Sequence, residues 1–176
     1  MQRVLEWKGE IEQYKTAFKN LRIEKPDKCQ HCGCGKFHKW GTYERHVIGL
    51  DMEHRISIRR VCCVKCGKTY SYLPSFCVSG VCYGLDCIMK FLSALILKTR
   101  FELEERKRRA YAFLKRFAGI ENLCLVYLRA RGFGELPEVK LERNVKIFTA
   151  LLEIHENYCL SMRFFKETGR HFMSAK

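Results

Sequence analysis

Two cysteine pairs, Cys29-x2-Cys32 and Cys63-x2-Cys66, stand with 30 residues between them, and each is followed directly by a glycine, at 33 and 67. No other feature limits the fold so tightly. A C-x2-C turn holds two thiolates on one side of a tight loop, and the glycine lets backbone amides turn back toward the sulfurs. Two such knuckles complete a tetrahedron around one structural Zn2+ ion, with strands pairing beneath the metal. Residues 29–74 are too highly charged to collapse around an apolar core alone. Metal binding is therefore expected to supply folding free energy, on the order of 10 kcal/mol for structural zinc. Cys34, Cys62, His31 and His38 lie nearby, and Cys62 is the main competitor. Cys63 is preferred because Cys63-x2-Cys66-Gly67 reproduces the knuckle spacing, whereas Cys62 would need a wider turn.

The chain has 11 cysteines, an odd number, and its first residues, MQRVLEWKGEIEQYK, contain no apolar signal core. Both observations favour metal thiolates in a reducing cytoplasm over a disulfide framework. Cys77, Cys82, Cys87, Cys124 and Cys159 read as core or linker residues. The longest apolar stretch, residues 85–97, is interrupted by Asp86, Lys90 and Ser93. It is too short to span a bilayer of about 30 Å and reads as a buried helix, with no membrane partner.

The expected fold class is α+β, a small β zinc ribbon followed by an all-α region. Residues 1–28 form an N-terminal strand and helix element, with a strand at 2–7 and a helix at 8–21. Residues 29–74 form the ribbon, with strand-like pieces at 39–43, 45–50 and 55–62. Residues 75–84 are a linker between Pro74 and a helical domain at 85–176. Helices are expected at 85–98, 100–117, 120–131 and 144–166, the second opened by a capping box at Thr99 and Glu102. The first three have lengths that suit a helix-turn-helix. In the last, Val145, Phe148, Leu152, Cys159 and Met162 recur near heptad spacing. That stripe suits a core face, or a surface for a protein partner or a second copy.

The order Cys29-x2-Cys32, Trp40-Gly41-x-Tyr43-x-Arg45 and Ile58-Arg59-Arg60-Val61-x-Cys63-x2-Cys66-Gly67-Lys68-Thr69-Tyr70-Ser71-x-Leu73-Pro74 carries a family resemblance. It resembles the N-terminal zinc-ribbon segment of bacterial insertion-element transposases and related transposase-like zinc-binding proteins. The resemblance covers residues 29–74 and continues weakly to about Leu97. It implies DNA binding associated with mobile elements, with the ribbon and a following helix-turn-helix both touching DNA. The extra cysteines and His31 depart from the pattern.

A formal charge of +14 points the same way, because basic surfaces gain affinity for polyanions through counterion release. The excess is concentrated in the middle, +5 in residues 29–84 and +6 in residues 85–131. In the ribbon, Lys36, Lys39, Arg45, Arg55, Arg59, Arg60, Lys65 and Lys68 interleave with Trp40, Tyr43, Tyr70 and Tyr72, a mixture suited to phosphate contact and stacking. Arg59 and Arg60 fall on opposite faces, so only one of them is expected to bind. The aromatics are expected mainly to fill the small core. A second cluster is Arg106, Lys107, Arg108 and Arg109, continuing to Lys115 and Arg116. Residues 120–128 are too apolar for a recognition helix, which makes the 100–117 helix the better candidate.

No catalytic residue is assigned. A two-metal nuclease needs carboxylates on separate strands, and the chain has only Asp27, Asp51 and Asp86, the last expected to pair with Lys90. There is no phosphate-cradling loop, nucleophile elbow or HExxH, and His155 reads as a satisfied core residue. Three readings remain: a non-catalytic DNA-binding protein of the nucleoid, an RNA or transcription-apparatus ribbon, and a zinc-stabilised interaction module.

Overall fold

The computed structural model describes residues 1–100, 107–135, 137–157 and 160–173. It is mixed α and β. Strands β1 (Gln2–Leu5), β2 (Phe37–Ile48), β3 (Glu53–Cys63) and β4 (Thr69–Pro74) form one sheet in the order β1-β4-β3-β2. Helix α1 (Ile11–Ala17) lies between β1 and β2. Helices α2 (Leu85–Ile96), α3 (Lys107–Gly119), α4 (Glu121–Arg129), α5 (Lys140–Asn157) and α6 (Leu160–Thr168) follow the sheet.

The short pieces expected from the sequence at 39–43 and 45–50 are one strand. β2 pairs with β3 from Phe37 opposite Cys63 to Ile48 opposite Glu53, and absorbs a bulge between Lys39 and Thr42. Trp40 and Gly41 together oppose the single residue Arg60 there, and Gly41 takes φ +79°, the left-handed conformation that makes such a bulge inexpensive. β4, not foreseen as a strand, pairs antiparallel with β3 and parallel with β1. The N-terminal strand thus completes the sheet that carries the cysteine pairs.

One cluster joins the sheet to α1 through Tyr14, Val47, Ile56, Ile58, Leu73 and Cys77. Burial of an aliphatic side chain of this size contributes about 1.5–3 kcal/mol. Tyr14 is 1% exposed, stands edge-on to Trp7 and Phe76, and donates its hydroxyl to the Ser57 carbonyl (2.9 Å). A second cluster, Cys29, Phe37, Val61, Cys63, Tyr70 and Tyr72, underlies the cysteines.

The stretch expected as a linker is tightly built. Ile48 bonds to the residues on either side of Tyr83, its N to Cys82 O (2.7 Å) and its O from Gly84 N (2.9 Å), and Cys77, Val78 and Tyr83 are buried. Arg45 donates to the carbonyls of Val78 and Val81, both at 2.6 Å. These bonds fix the start of α2 against the end of β2.

The helices share a third core containing Phe91, Phe113, Phe117, Tyr127, Phe148, Leu151 and Phe164. Of the stripe expected at Val145, Phe148, Leu152 and Met162, Phe148 is fully buried and the other three are partly exposed, while Ile147, Leu151, Leu160 and Phe164, each 0% exposed, complete the buried face. That face packs into the chain's own core. The stripe's Cys159 and the capping residue Glu102 lie outside the described residues. Asp86 pairs with His155 across α2 and α5 (2.8 Å), rather than with Lys90 as expected. No described helix is long and apolar enough to cross a membrane.

Candidate metal centre

The two knuckles repeat each other bond for bond. Cys29 N donates to Cys34 O (2.8 Å) and Gly33 N to Cys29 O (2.8 Å); Cys63 N donates to Lys68 O and Gly67 N to Cys63 O, both at 3.0 Å. The glycines have φ +71° and +68° with open space where a Cβ would be added, so backbone conformation and not crowding requires them. Gly67→Ala should therefore destabilise the metal-loaded protein by about 1–2 kcal/mol in denaturant titrations, with Gly67→Asn milder.

The sheet brings the knuckles together. The first immediately precedes β2, the second is the turn between β3 and β4, and Val64 N donates to Lys36 O (3.1 Å) to bind one to the other. The sulfurs of Cys29, Cys32, Cys63 and Cys66 all lie within 4.8 Å of one another. Cys29 to Cys66 and Cys32 to Cys63 are each 3.6 Å. Thiolates at about 2.3 Å from a tetrahedral ion stand about 3.8 Å apart, so the cage fits such an ion. Among the described residues this is the only group of three or more such side chains close enough to share an ion.

The competitors point elsewhere. Cys62 directs its thiol at the carbonyls of Gly67 (3.3 Å) and Cys63 (3.7 Å), and Cys34 lies against the backbone of Lys36 (N to Sγ 3.4 Å). Cys77, Cys87 and Cys124 are buried and Cys82 is exposed, all of them outside the cage.

Electrostatics favour a cation. A hydrogen bond from Tyr70, with the amides of His31 and Cys32, pulls the Cys29 thiol down to about 6, and the amides of Cys66 and Lys65 lower Cys63. At Cys32 and Cys66 the amides of Cys34 and Lys68 favour the thiolate, but desolvation and the Cys29 and Cys63 sulfurs, with Cys66 also acting on Cys32, outweigh them. Cys32 is held at about 12. Two thiolates form readily and the next two are opposed by charge crowding; a bound dication removes that opposition. Four soft thiolate donors suit zinc or iron.

Tyr70 was read from sequence as a core aromatic, and it is fully buried (0%). Its polar end has a further task, because the hydroxyl donates to Cys29 Sγ (3.3 Å) and accepts from Gln30 N (2.9 Å). Only the tertiary contact of the Tyr70 side chain with the first knuckle reveals this. Tyr70→Phe leaves the Gln30 amide without that acceptor and frees the sulfur, so it should weaken metal binding roughly 10- to 100-fold in chelator competition.

The cations divide into two groups. Lys36, Lys39, Arg55, Lys65 and Lys68 are exposed. Lys36 O accepts from Val64 N and Lys68 O from Cys63 N, and Lys65 lies within the second knuckle between Cys63 and Cys66, so all three leave the backbone beside the cysteines. Arg45 is tied to the Val78 and Val81 carbonyls, and Arg59 to the carbonyls of Phe18 (2.8 Å) and Lys19 (2.9 Å) with its guanidinium over the Phe18 ring. Both serve the chain's own backbone, which the sequence reading missed. Arg60 lies over Tyr43.

On α3, Ala110, Phe113 and Phe117 are buried, and Arg108, Tyr111 and Lys115 run along the opposite face, with Lys107 and Arg109 exposed beside them. Arg116 donates to Met173 O (3.3 Å). Arg106 lies outside the described residues.

Residues 29–111 match the model of a domain of unknown function, DUF6431. No curated protein and no solved structure matches the chain. The matched span opens on Cys29, contains all four clustered cysteines, and runs through α2 into α3.

Proposed function

We propose that the protein is a non-catalytic, zinc-dependent DNA-binding protein of the kind associated with mobile elements. The observation that carries this reading is the juxtaposition of the four-thiol cage with exposed Lys36, Lys65 and Lys68. Zinc suits the cage because it is redox-inert and satisfied by four thiolates in a closed tetrahedron, with no position left for substrate. The ion then has a structural task, holding a zinc ribbon whose rim lysines meet phosphates.

Helix α3 supplies a second contact, entering a groove with Arg108 and Lys115 outward while its apolar side stays in the core. The sequence resemblance to transposase zinc ribbons supports the same partner. On this reading the protein acts by binding and not by turnover, and the Asp86–His155 pair joins α2 to α5.

The test is titration of the zinc-loaded protein into labelled random-sequence duplex DNA and into matched RNA, at two salt concentrations. Binding that prefers duplex DNA and weakens steeply with salt is expected. Preference for single-stranded RNA, or zinc binding with affinity for neither, overturns the reading.

A further inference from the structure

Residues 38–42 are exposed without a break on an edge strand, and Trp40 at their centre is 50% exposed. A half-exposed indole in the middle of such a run offers a flat aromatic face to a partner. The bulge gives the reason for its direction. Two residues, Trp40 and Gly41, oppose one, Arg60, and such irregularities re-aim a side chain out of the sheet's regular alternation. The ring leans on His38, with centroids 5.4 Å apart.

The surroundings carry positive charge. Lys39 is the exposed neighbour of Trp40, and Lys36 begins the same edge next to the metal cage. Arg60, opposite the bulge, lays its guanidinium over the Tyr43 ring at 5.5 Å, and its buried Nε has no hydrogen-bond partner among the described residues. An exposed indole flanked by cations complements a nucleobase and its adjoining phosphates: the ring offers a stacking face, and the cations neutralise the backbone.

We infer that Trp40 is a base-stacking residue, which takes an unstacked nucleobase of bound DNA on the β2 bulge, with Lys39 and Arg60 against the neighbouring phosphates. The inference rests on the DNA-binding reading and adds what that reading lacks, a site for a base. It makes DNA that offers an unpaired base a better ligand than continuous duplex, where a stack must first be opened.

The experiment uses the full, zinc-loaded chain and two probes, a short DNA duplex with one unpaired central thymine and its fully paired counterpart, followed by fluorescence anisotropy. The unpaired probe is expected to bind more tightly. Trp40→Ala should weaken that binding roughly 10- to 100-fold with little change in salt slope, and Trp40→Phe should retain most of the affinity. In a Trp7→Phe background, where Trp40 is the remaining tryptophan, DNA should quench the emission. Equal affinities of wild type and Trp40→Ala for both probes, with emission unchanged on binding, overturn the inference and leave the DNA-binding reading intact. If neither protein binds either probe, both fall together.

Discussion

Serine in place of Cys63 should abolish binding of the single metal ion and unfold the metal end of the sheet, while the helices persist. Cys63 is the last residue of β3, is 1% exposed, and shares its cluster with Phe37, Val61 and Tyr70. Its sulfur is one of four that only a cation reconciles, and its backbone closes the second knuckle. Structural zinc contributes on the order of 10 kcal/mol to a site of this kind, comparable to the whole stability of a small domain. Losing the ion should therefore release the first knuckle, the β3–β4 turn and the Tyr70 contact together. The helical core of Phe91, Phe117, Tyr127 and Phe148 is assembled from other residues and should retain most of its far-UV circular dichroism. Limited proteolysis should cut within residues 29–36 and 63–68. Cys62→Ser provides the contrast: that thiol faces carbonyls outside the cage, so one ion should remain bound with a change within about 1 kcal/mol.

On the proposed DNA-binding function, replacing Lys36, Lys65 and Lys68 together with alanine should give the largest loss of DNA affinity that leaves the fold unchanged. Their side chains are exposed and are not ligands of the cage, so metal content and melting temperature should stay as in wild type. Each lysine that neutralises a phosphate releases a condensed counterion, so removing three should flatten the slope of log K against log salt by about three units. At low salt the affinity should fall roughly a hundredfold, and the gap should narrow as salt rises. Arg45 and Arg59 would be the wrong targets for such a test. Replacing either leaves backbone carbonyls of the 78–81 segment or of residues 18–19 without donors, and instability would be mistaken for lost contact.

The cysteine spacing carried the local part of the site. Cys29, Cys32, Cys63 and Cys66 come together as their knuckle geometry requires, because each C-x2-C-G turn is set by bonds within six residues. What lay between the knuckles was harder to read. The expected pieces at 39–43 and 45–50 part at Glu44, whereas the pairing with β3 runs on through Glu44 and breaks register only at a bulge between Lys39 and Thr42 that the opposite strand defines. β4 reads as a motif, Thr69 to Pro74, but its place between β3 and β1 depends on a parallel contact with residues almost seventy positions earlier. Such pairing leaves no short-range periodicity. Charge was legible as a sum and not as a surface. Nothing local distinguishes Arg59, bonded to the α1 terminus, from Lys65, free in solvent. The apolar stripe near the C-terminus was visible, but the choice between core and partner surface depended on the packing of α4, α5 and α6 against one another.

The most direct test of the metal cage is X-ray absorption spectroscopy of the metal-loaded protein, with the bound ion quantified on the same sample. One ion per chain is expected, surrounded by four sulfurs at about 2.3 Å and no nitrogen or oxygen. A first shell containing nitrogen or oxygen, fewer than four sulfurs, or an ion retained after Cys29, Cys32, Cys63 and Cys66 are all replaced by serine would contradict it.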